Sequence, residues 1–326
     1  LFAADPTGST VTSPIEEPAL EPESTFTTCY RHPGVECHVR CVRCDRHICP
    51  DCMREAAVGH QCPECVEEGA RSVRQARTIV GGKVSGTPAV TCALIALNVL
   101  AYLVQLVLPE FQTRFEMVGA RLVGPDGDQY LYEGAYFGYL HPEGLVAGEW
   151  ERLITSGFLH LLPTQGTFGL AHIVMNMLAL WHLGRILEAQ LGRVRFLALY
   201  LLAVLGGSVA ELLLAEPSAA FVGASGGLFG LGAAHYVMAR RLGVGMAAVN
   251  RSTALLLMWL LVSAGLTSWQ GHLGGFLAGG AVTAAYAFVP RGPRRTLLHA
   301  AACAGLLALL LLLTYGKASQ LTGGTV

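Results

Sequence analysis

Hydrophobic positions are unevenly distributed along this chain. Residues 1–87 are predominantly polar, whereas from Pro88 onward seven apolar stretches follow one another. Each spans or nearly spans a bilayer, whose ~30 Å hydrocarbon core takes about 20 helical residues. They cover roughly 90–108, 171–191, 194–214, 223–239, 253–266, 272–289 and 297–315, the fifth being short. The pattern predicts an all-α, polytopic membrane helix bundle. Arg71, Arg74, Arg77 and Lys83 precede the first stretch, and Arg193 with Arg195, Arg240 with Arg241 and Arg251, and Arg291 with Arg294 and Arg295 fill every second loop after it. Basic loops remain cytoplasmic, so the N-terminus is expected inside and the C-terminus outside. The long loop between the first two stretches carries Glu110, Glu116, Asp126, Asp128, Glu133, Glu143, Glu149 and Glu151 and is expected to face outward.

Composition supports a cell-membrane protein. Of 326 residues, 52% are hydrophobic and 14% charged, against about 25% charged in soluble domains; mean hydropathy is +0.47. Net charge is -1, with no basic tract and no basic patch interleaved with aromatics, which excludes nucleic acid as a partner. Residues 1–28 are acidic and rich in Pro, Ser and Thr, without the features of a signal peptide, and read as a disordered tail. The expected organisation is that tail, a cysteine-rich module over 29–66, a polar linker over 67–87, a membrane domain over 88–315 and a short tail over 316–326. The lack of an internal repeat argues against a transporter, many of which are built from paired halves.

Candidate chemistry centres on Gly223-Ala-Ser225-Gly-Gly227. This matches the G-x-S-x-G elbow of soluble hydrolases, but an apolar helix series leaves no room for their sheet. The expected topology puts Ser225 at the outer end of the fourth stretch and His272 at the outer end of the sixth. His172 and Asn176 fall in the first turns of the second, on one helix face. Each has a bland alternative: a helix cap for the serine, interior hydrogen bonding for the histidines, helix packing for the asparagine. Polar groups are expensive within a membrane, and four converging at one depth favour a site. A serine hydroxyl needs a base, for which His272 is the candidate. The helix N-terminus under Ser225, with Asn176 and His172, can supply donors for an oxyanion. Gly226-x-x-x-Gly230 and Gly275-x-x-x-Gly279 would let the two helices approach closely.

GASGG with a downstream GHLGG, preceded by HIVMN and GEWERLITSGFLH, resembles the rhomboid family of intramembrane serine proteases over about 88–315. The resemblance implies a six-span core with, here, a C-terminal seventh span. It also implies a Ser225–His272 dyad without an acidic third member or catalytic cofactor, an oxyanion side formed by His172, Asn176 and Gly223, and packing of Phe229 on the catalytic imidazole. Its substrates would be transmembrane segments of other membrane proteins, cut toward the outer face of the bilayer. The family's outer-loop Trp-Arg appears here as Trp150-Glu151-Arg152. The alternative reading is a non-proteolytic membrane adaptor that binds transmembrane clients.

Eight of the ten cysteines lie between Cys29 and Cys65. Cys29-x-x-His32, Cys41-x-x-Cys44, Cys49-x-x-Cys52 and Cys62-x-x-Cys65 provide eight ligands, enough for two tetrahedral structural zinc ions. Their order resembles cross-braced B-box-like zinc fingers, which implies that the first and third pairs share one ion and the second and fourth the other. Cys37, His38, His47 and His60 are spare, and His60 is an alternative to Cys62. Mixed charge favours a cytoplasmic protein partner for this module. Elsewhere, His160 is expected to be structural, His182 and His235 to pack in the helix interior, and Arg185 to pair with Glu188. Trp269, Tyr136 and Tyr139 are expected to be interfacial anchors.

Overall fold

The computed structural model describes residues 27–72, 76–84, 86–108, 110–132, 138–165, 169–262 and 268–323. The first 26 residues of the expected tail, and Tyr136, lie outside them. The chain divides into two compact units, Leu1–Arg74 and Gln75–Val326.

The first unit has almost no aliphatic interior. Its buried core consists of Cys29, Cys37, Cys41, Cys49, Cys52, Cys62 and Cys65 around Ile48. A hairpin of β1 (Arg54–Glu55) and β2 (His60–Gln61) leads into α1 (Pro63–Ser72). The first residues of the expected linker are therefore helical. Its later part is folded as well, in the second unit, where Arg77 and Lys83 bridge across a turn closed by Thr78 and Gly82.

The second unit is built on seven long helices among the described residues: α2 (Ala89–Val107), α5 (Gly169–Leu191), α6 (Arg193–Leu214), α7 (Ser225–Leu242), α8 (Met246–Val262), α9 (Trp269–Phe288) and α10 (Arg295–Leu321). Of these, α2, α5, α6 and α10 are long and apolar enough to cross a membrane on their own. Helices α7 and α9 pack with α6 at the centre of the bundle. The helices begin and end within a few residues of the expected stretches, with two exceptions. Helix α8 starts at Met246, ahead of its apolar run, and α10 continues through Leu321, so most of the expected C-terminal tail prolongs the last helix.

The loop between α2 and α5 has internal structure that its mixed polarity did not reveal. It contains α3 (Glu110–Phe115), a small antiparallel sheet of order β4-β3-β5 (β3 Arg121–Val123, β4 Gln129–Leu131, β5 His141–Glu143) and α4 (Arg152–Thr155). Two buried guanidinium groups hold it together. Arg121 pairs with Glu116 at 2.8 Å and with Glu143 at 2.9 Å. Fully buried Arg152 donates to Glu149 at 2.7 Å and to the carbonyls of Thr113 and Glu116. The intervening Glu151 turns the other way, to Arg114 at 2.9 Å, so the interruption leaves Arg152 internal.

Two expectations for α5 are corrected. Glu188 does not pair with Arg185. Its carboxylate accepts from Val90 N, Thr91 N and Thr91 Oγ1 at 2.8–3.0 Å, capping the start of α2, where a negative charge meets unpaired N–H groups and the positive end of the helix dipole. Arg185 lies over the Trp181 ring instead. His182 is exposed, because the buried stripe of α5 runs through Ile173, Asn176, Leu180, Gly184 and Leu187; two residues past Leu180 is about 200° around the helix. His235 is half-buried.

Candidate active site and metal centres

Ser225 is the first residue of α7 and His272 lies in the first turn of α9. Ser225 Oγ and His272 Nε2 are 3.0 Å apart. The approach depends on glycine: a Cβ on Gly230 would sit 2.8 Å from Gly275 O, and side chains at Gly275 or Gly279 would collide with the backbone of Gly226 or Gly230. Phe229, one turn after Ser225, stacks on the His272 imidazole with centroids 4.2 Å apart and an interplanar angle of 11°.

The turn entering α7 is equally constrained. Gly223 has φ 139°, and a Cβ there would stand 3.0 Å from His172 Cε1. Its N–H donates to Ser156 O, and Phe221 pairs with Met117, so the outer-loop unit holds the segment before Ser225. The first helical bond of α7 runs from Leu228 N–H to Ala224 O. The N–H groups of Ser225, Gly226 and Gly227 are thereby outside the helical ladder.

His172 lies beside Gly223. Leu161 N–H donates to its Nδ1 at 3.2 Å, which assigns the ring proton to Nε2 and makes that nitrogen a donor. Asn176 is buried, and its Nδ2 donates to His172 O at 2.7 Å, leaving one amide hydrogen uncommitted. The structure thus groups Ser225, His272, Phe229, Gly223 and His172, with Asn176 one turn behind His172. His160 is fully buried, with its ring 5.1 Å from that of His172 and 6.4 Å from Tyr102. Burial pushes its pKa down to about 3, with the neighbouring His172 a smaller cause.

A carboxyl group at this site went unnoticed in the sequence pattern. Glu211, near the end of α6, accepts from Ser268 Oγ at 2.5 Å, and Ser268 caps α9 by accepting from Gly271 N at 3.1 Å. Glu211 also lines a cavity of about 20 Å³ behind Ser225, together with Ser156 and Ser208. That is room for about one water molecule. The available signal was a lone carboxylate inside an otherwise apolar helix.

In the first unit, Cys29, His32, Cys49 and Cys52 form one donor group and Cys41, Cys44, Cys62 and Cys65 another, each with all ligand atoms within 4.8 Å of one another. His60 belongs to neither; β2 directs the chain so that Cys62 completes the second group. A tetrahedral ion with metal–sulfur bonds of about 2.3 Å requires donor separations near 3.8 Å. The observed Cys44–Cys62 sulfur separation is 3.7 Å, and His32 Nδ1 is 3.2–3.8 Å from the sulfurs of Cys29, Cys49 and Cys52. Burial raises the Cys41 thiol, and backbone donors at Cys62, Arg43 and Cys44 outweigh it, bringing the group down to about 6. Arg46 donates to Cys44 Sγ at 3.2 Å, pairs with Glu64 at 2.7 Å and lies over the Tyr30 ring. It offsets the thiolate charge of the four-cysteine group. These residues fit a bound metal such as zinc.

Sequence comparison finds relatives of this chain among known proteins. Residues 147–289 match the family model for a rhomboid domain. The chain is 34% identical over 148 residues to the rhomboid protease GluP of Bacillus subtilis, covering 44% of this chain and 27% of that one. It is 32% identical over 178 residues to RHOMBOID-like protein 2 of Arabidopsis thaliana, covering 49% and 53%. RHOMBOID-like protein 5 of the same plant is 34% identical over 140 residues, covering 40% and 42%. The matched region spans from about a quarter to about half of these relatives' lengths.

Proposed function

We propose that this chain, whose membrane part carries a rhomboid domain, is an intramembrane serine endopeptidase that cuts transmembrane segments of other membrane proteins. The observation carrying the reading is the 3.0 Å separation of Ser225 Oγ and His272 Nε2, at the starts of two helices in glycine-to-glycine contact. As Oγ attacks a peptide carbonyl, His272 Nε2 takes its proton and then delivers it to the leaving amine. Water hydrolyses the resulting ester by the same steps in reverse. The developing oxyanion is stabilised by the free N–H groups at the start of α7, by His172 Nε2–H and by Asn176. The substrate helix must unwind locally, because helical hydrogen bonds shield its carbonyls in lipid.

In this reading the basic loops lie in the cytoplasm, the N-terminus is inside, the C-terminus outside, and Ser225 and His272 stand toward the outer face. The cysteine groups hold two structural zinc ions, which supply folding energy to a module short of apolar core. The module serves as a docking element for a cytoplasmic protein. The decisive experiment is labelling of the purified chain with a fluorophosphonate probe, with Ser225→Ala as control, together with cleavage of a transmembrane substrate in detergent. Labelling and cleavage that both vanish in Ser225→Ala and His272→Ala support the protease. Neither activity in the parent chain would leave the adaptor. Orientation is tested by cysteines introduced at Gly127 and Gly292, of which only the first should react with an impermeant maleimide in intact cells.

A further inference from the structure

Within the second unit, a cavity of about 640 Å³ is lined by Arg77, Lys83, Arg193 and Arg195, with the Thr296 hydroxyl and three glycines, Gly81, Gly82 and Gly192. Its size is that of a small-molecule site, typically about 300–1,000 Å³, and no lining residue carries a carboxylate. A cytoplasmic bias in basic residues accounts for their number near helix ends. It does not account for their convergence on one concavity.

The three arginines are held in place by hydrogen bonds to uncharged groups, and of them Arg193 also pairs with a carboxylate. Arg77 donates to Gly81 O at 3.2 Å, Arg193 to Thr87 Oγ1 at 3.0 Å, and Arg195 to His299 Nδ1 at 3.1 Å, all uncharged acceptors. Arg195 and Arg295 both reach 3.9 Å from the Cβ position of Gly81, so two guanidinium groups face the same turn. Arg295 is itself fixed by Ile79 O. Glu188 pairs with Arg193 at 3.8 Å while accepting three hydrogen bonds from α2, so among the described residues the other lining cations, Arg77, Lys83 and Arg195, have no carboxylate in an ion pair with them. The rim also includes the start of α6, whose cap residue Gly192 has no side chain to satisfy the first N–H groups. Close packing of the Gly82 and Gly192 backbones brings the 76–84 turn against the α5–α6 junction and so creates the concavity.

We infer that this cavity binds a phosphate group. Two arginines fixed in place by neutral acceptors, Arg77 and Arg195, with a lysine and helical N–H groups, are the donor set that phosphate oxygens take. Two sources carry that group at a membrane surface: the headgroup of an anionic phospholipid and a soluble phosphate compound.

The test uses the full chain in detergent. Radiolabelled inorganic phosphate is measured by equilibrium dialysis, and thermal stabilisation is measured with phosphatidylglycerol or phosphatidylcholine added to the micelles. The variants are Arg77→Gln combined with Lys83→Gln, and Lys83→Gln alone, both at exposed positions, with melting in the absence of ligand as the check on folding. Saturable phosphate binding weakened roughly 10²-fold in the double variant, as expected for the loss of two charged donors, supports a soluble source. Stabilisation by phosphatidylglycerol and not phosphatidylcholine, lost in the double variant, supports a lipid headgroup. If neither ligand acts on the parent chain, or if both variants fold and bind as it does, the inference fails.

Discussion

At the residue scale, the site is a set of short-range commitments around two helix starts. In the proposed mechanism Asn176 shares the oxyanion role with His172 and backbone donors, so Asn176→Ala should lower kcat by about 10²- to 10³-fold and leave residual cleavage. An unchanged rate in a purified assay removes Asn176 from the site. His160 offers a pH test. Its folded pKa is about 3 against an ordinary 6.5, so the unfolded chain protonates as pH falls through about 6.5 while the folded chain does not until about 3. Stability contributed above pH ~6.5 is therefore lost progressively between those values, by at most about 1.4 kcal/mol per pH unit. Melting of the parent chain should fall more steeply with acid than melting of His160→Phe; parallel curves would refute the assignment.

At the element scale, catalysis in this reading depends on how α9 is placed against α6 and α7. Glu211 acts through Ser268, whose hydroxyl caps the helix carrying His272. Glu211→Leu should lower kcat by roughly 10- to 10²-fold with KM little changed, as small misplacements of catalytic groups do. Glu211→Gln keeps an acceptor for Ser268 and should restore most of the rate. Equal losses in both variants would show that the carboxyl group matters for another reason. The glycine seam makes a sharper demand. Gly275→Val puts a branched side chain against the Gly226 carbonyl, where only backbone separation can relieve the overlap. Loss of both probe labelling and cleavage is expected, with a lower melting temperature; full activity would deny that the seam sets the Ser225–His272 distance.

At the scale of the whole molecule, the chain divides between Arg74 and Gln75 into units with different sources of stability. The membrane unit buries aliphatic and aromatic side chains, whereas the first unit buries thiols. Metal analysis should find two zinc ions per chain and one after Cys41→Ser. A strong chelator should unfold the first unit while the cleavage of a generic transmembrane substrate persists. Deleting residues 1–66 should likewise spare that cleavage in detergent and reduce cleavage of a native client in cells, because tethering raises local concentration without changing the active site. A kcat falling as far as in Ser225→Ala would make the module part of the catalytic fold.

Much of this architecture is legible in the order of residues alone. Apolar runs of bilayer length announce helices, because in lipid each segment must satisfy its own backbone. The spacing of Cys29-x-x-His32 and its three successors announces metal ligands, because paired donors close to tetrahedral distance over a short turn. GASGG and GHLGG mark helix starts where a polar group would otherwise be costly. Other features were decided by packing between distant segments. Glu188 caps α2 across nearly a hundred residues rather than pairing with Arg185 one turn away, since unpaired N–H groups and a helix dipole outcompete an exposed ion pair. Glu211 meets Ser268, and the basic cavity forms, only when α6 lies against α9 and the 76–84 turn against the α5–α6 junction. Local pattern determines which residues are helical and which must avoid lipid; the partner each buried charge finds depends on which segments the bundle brings together.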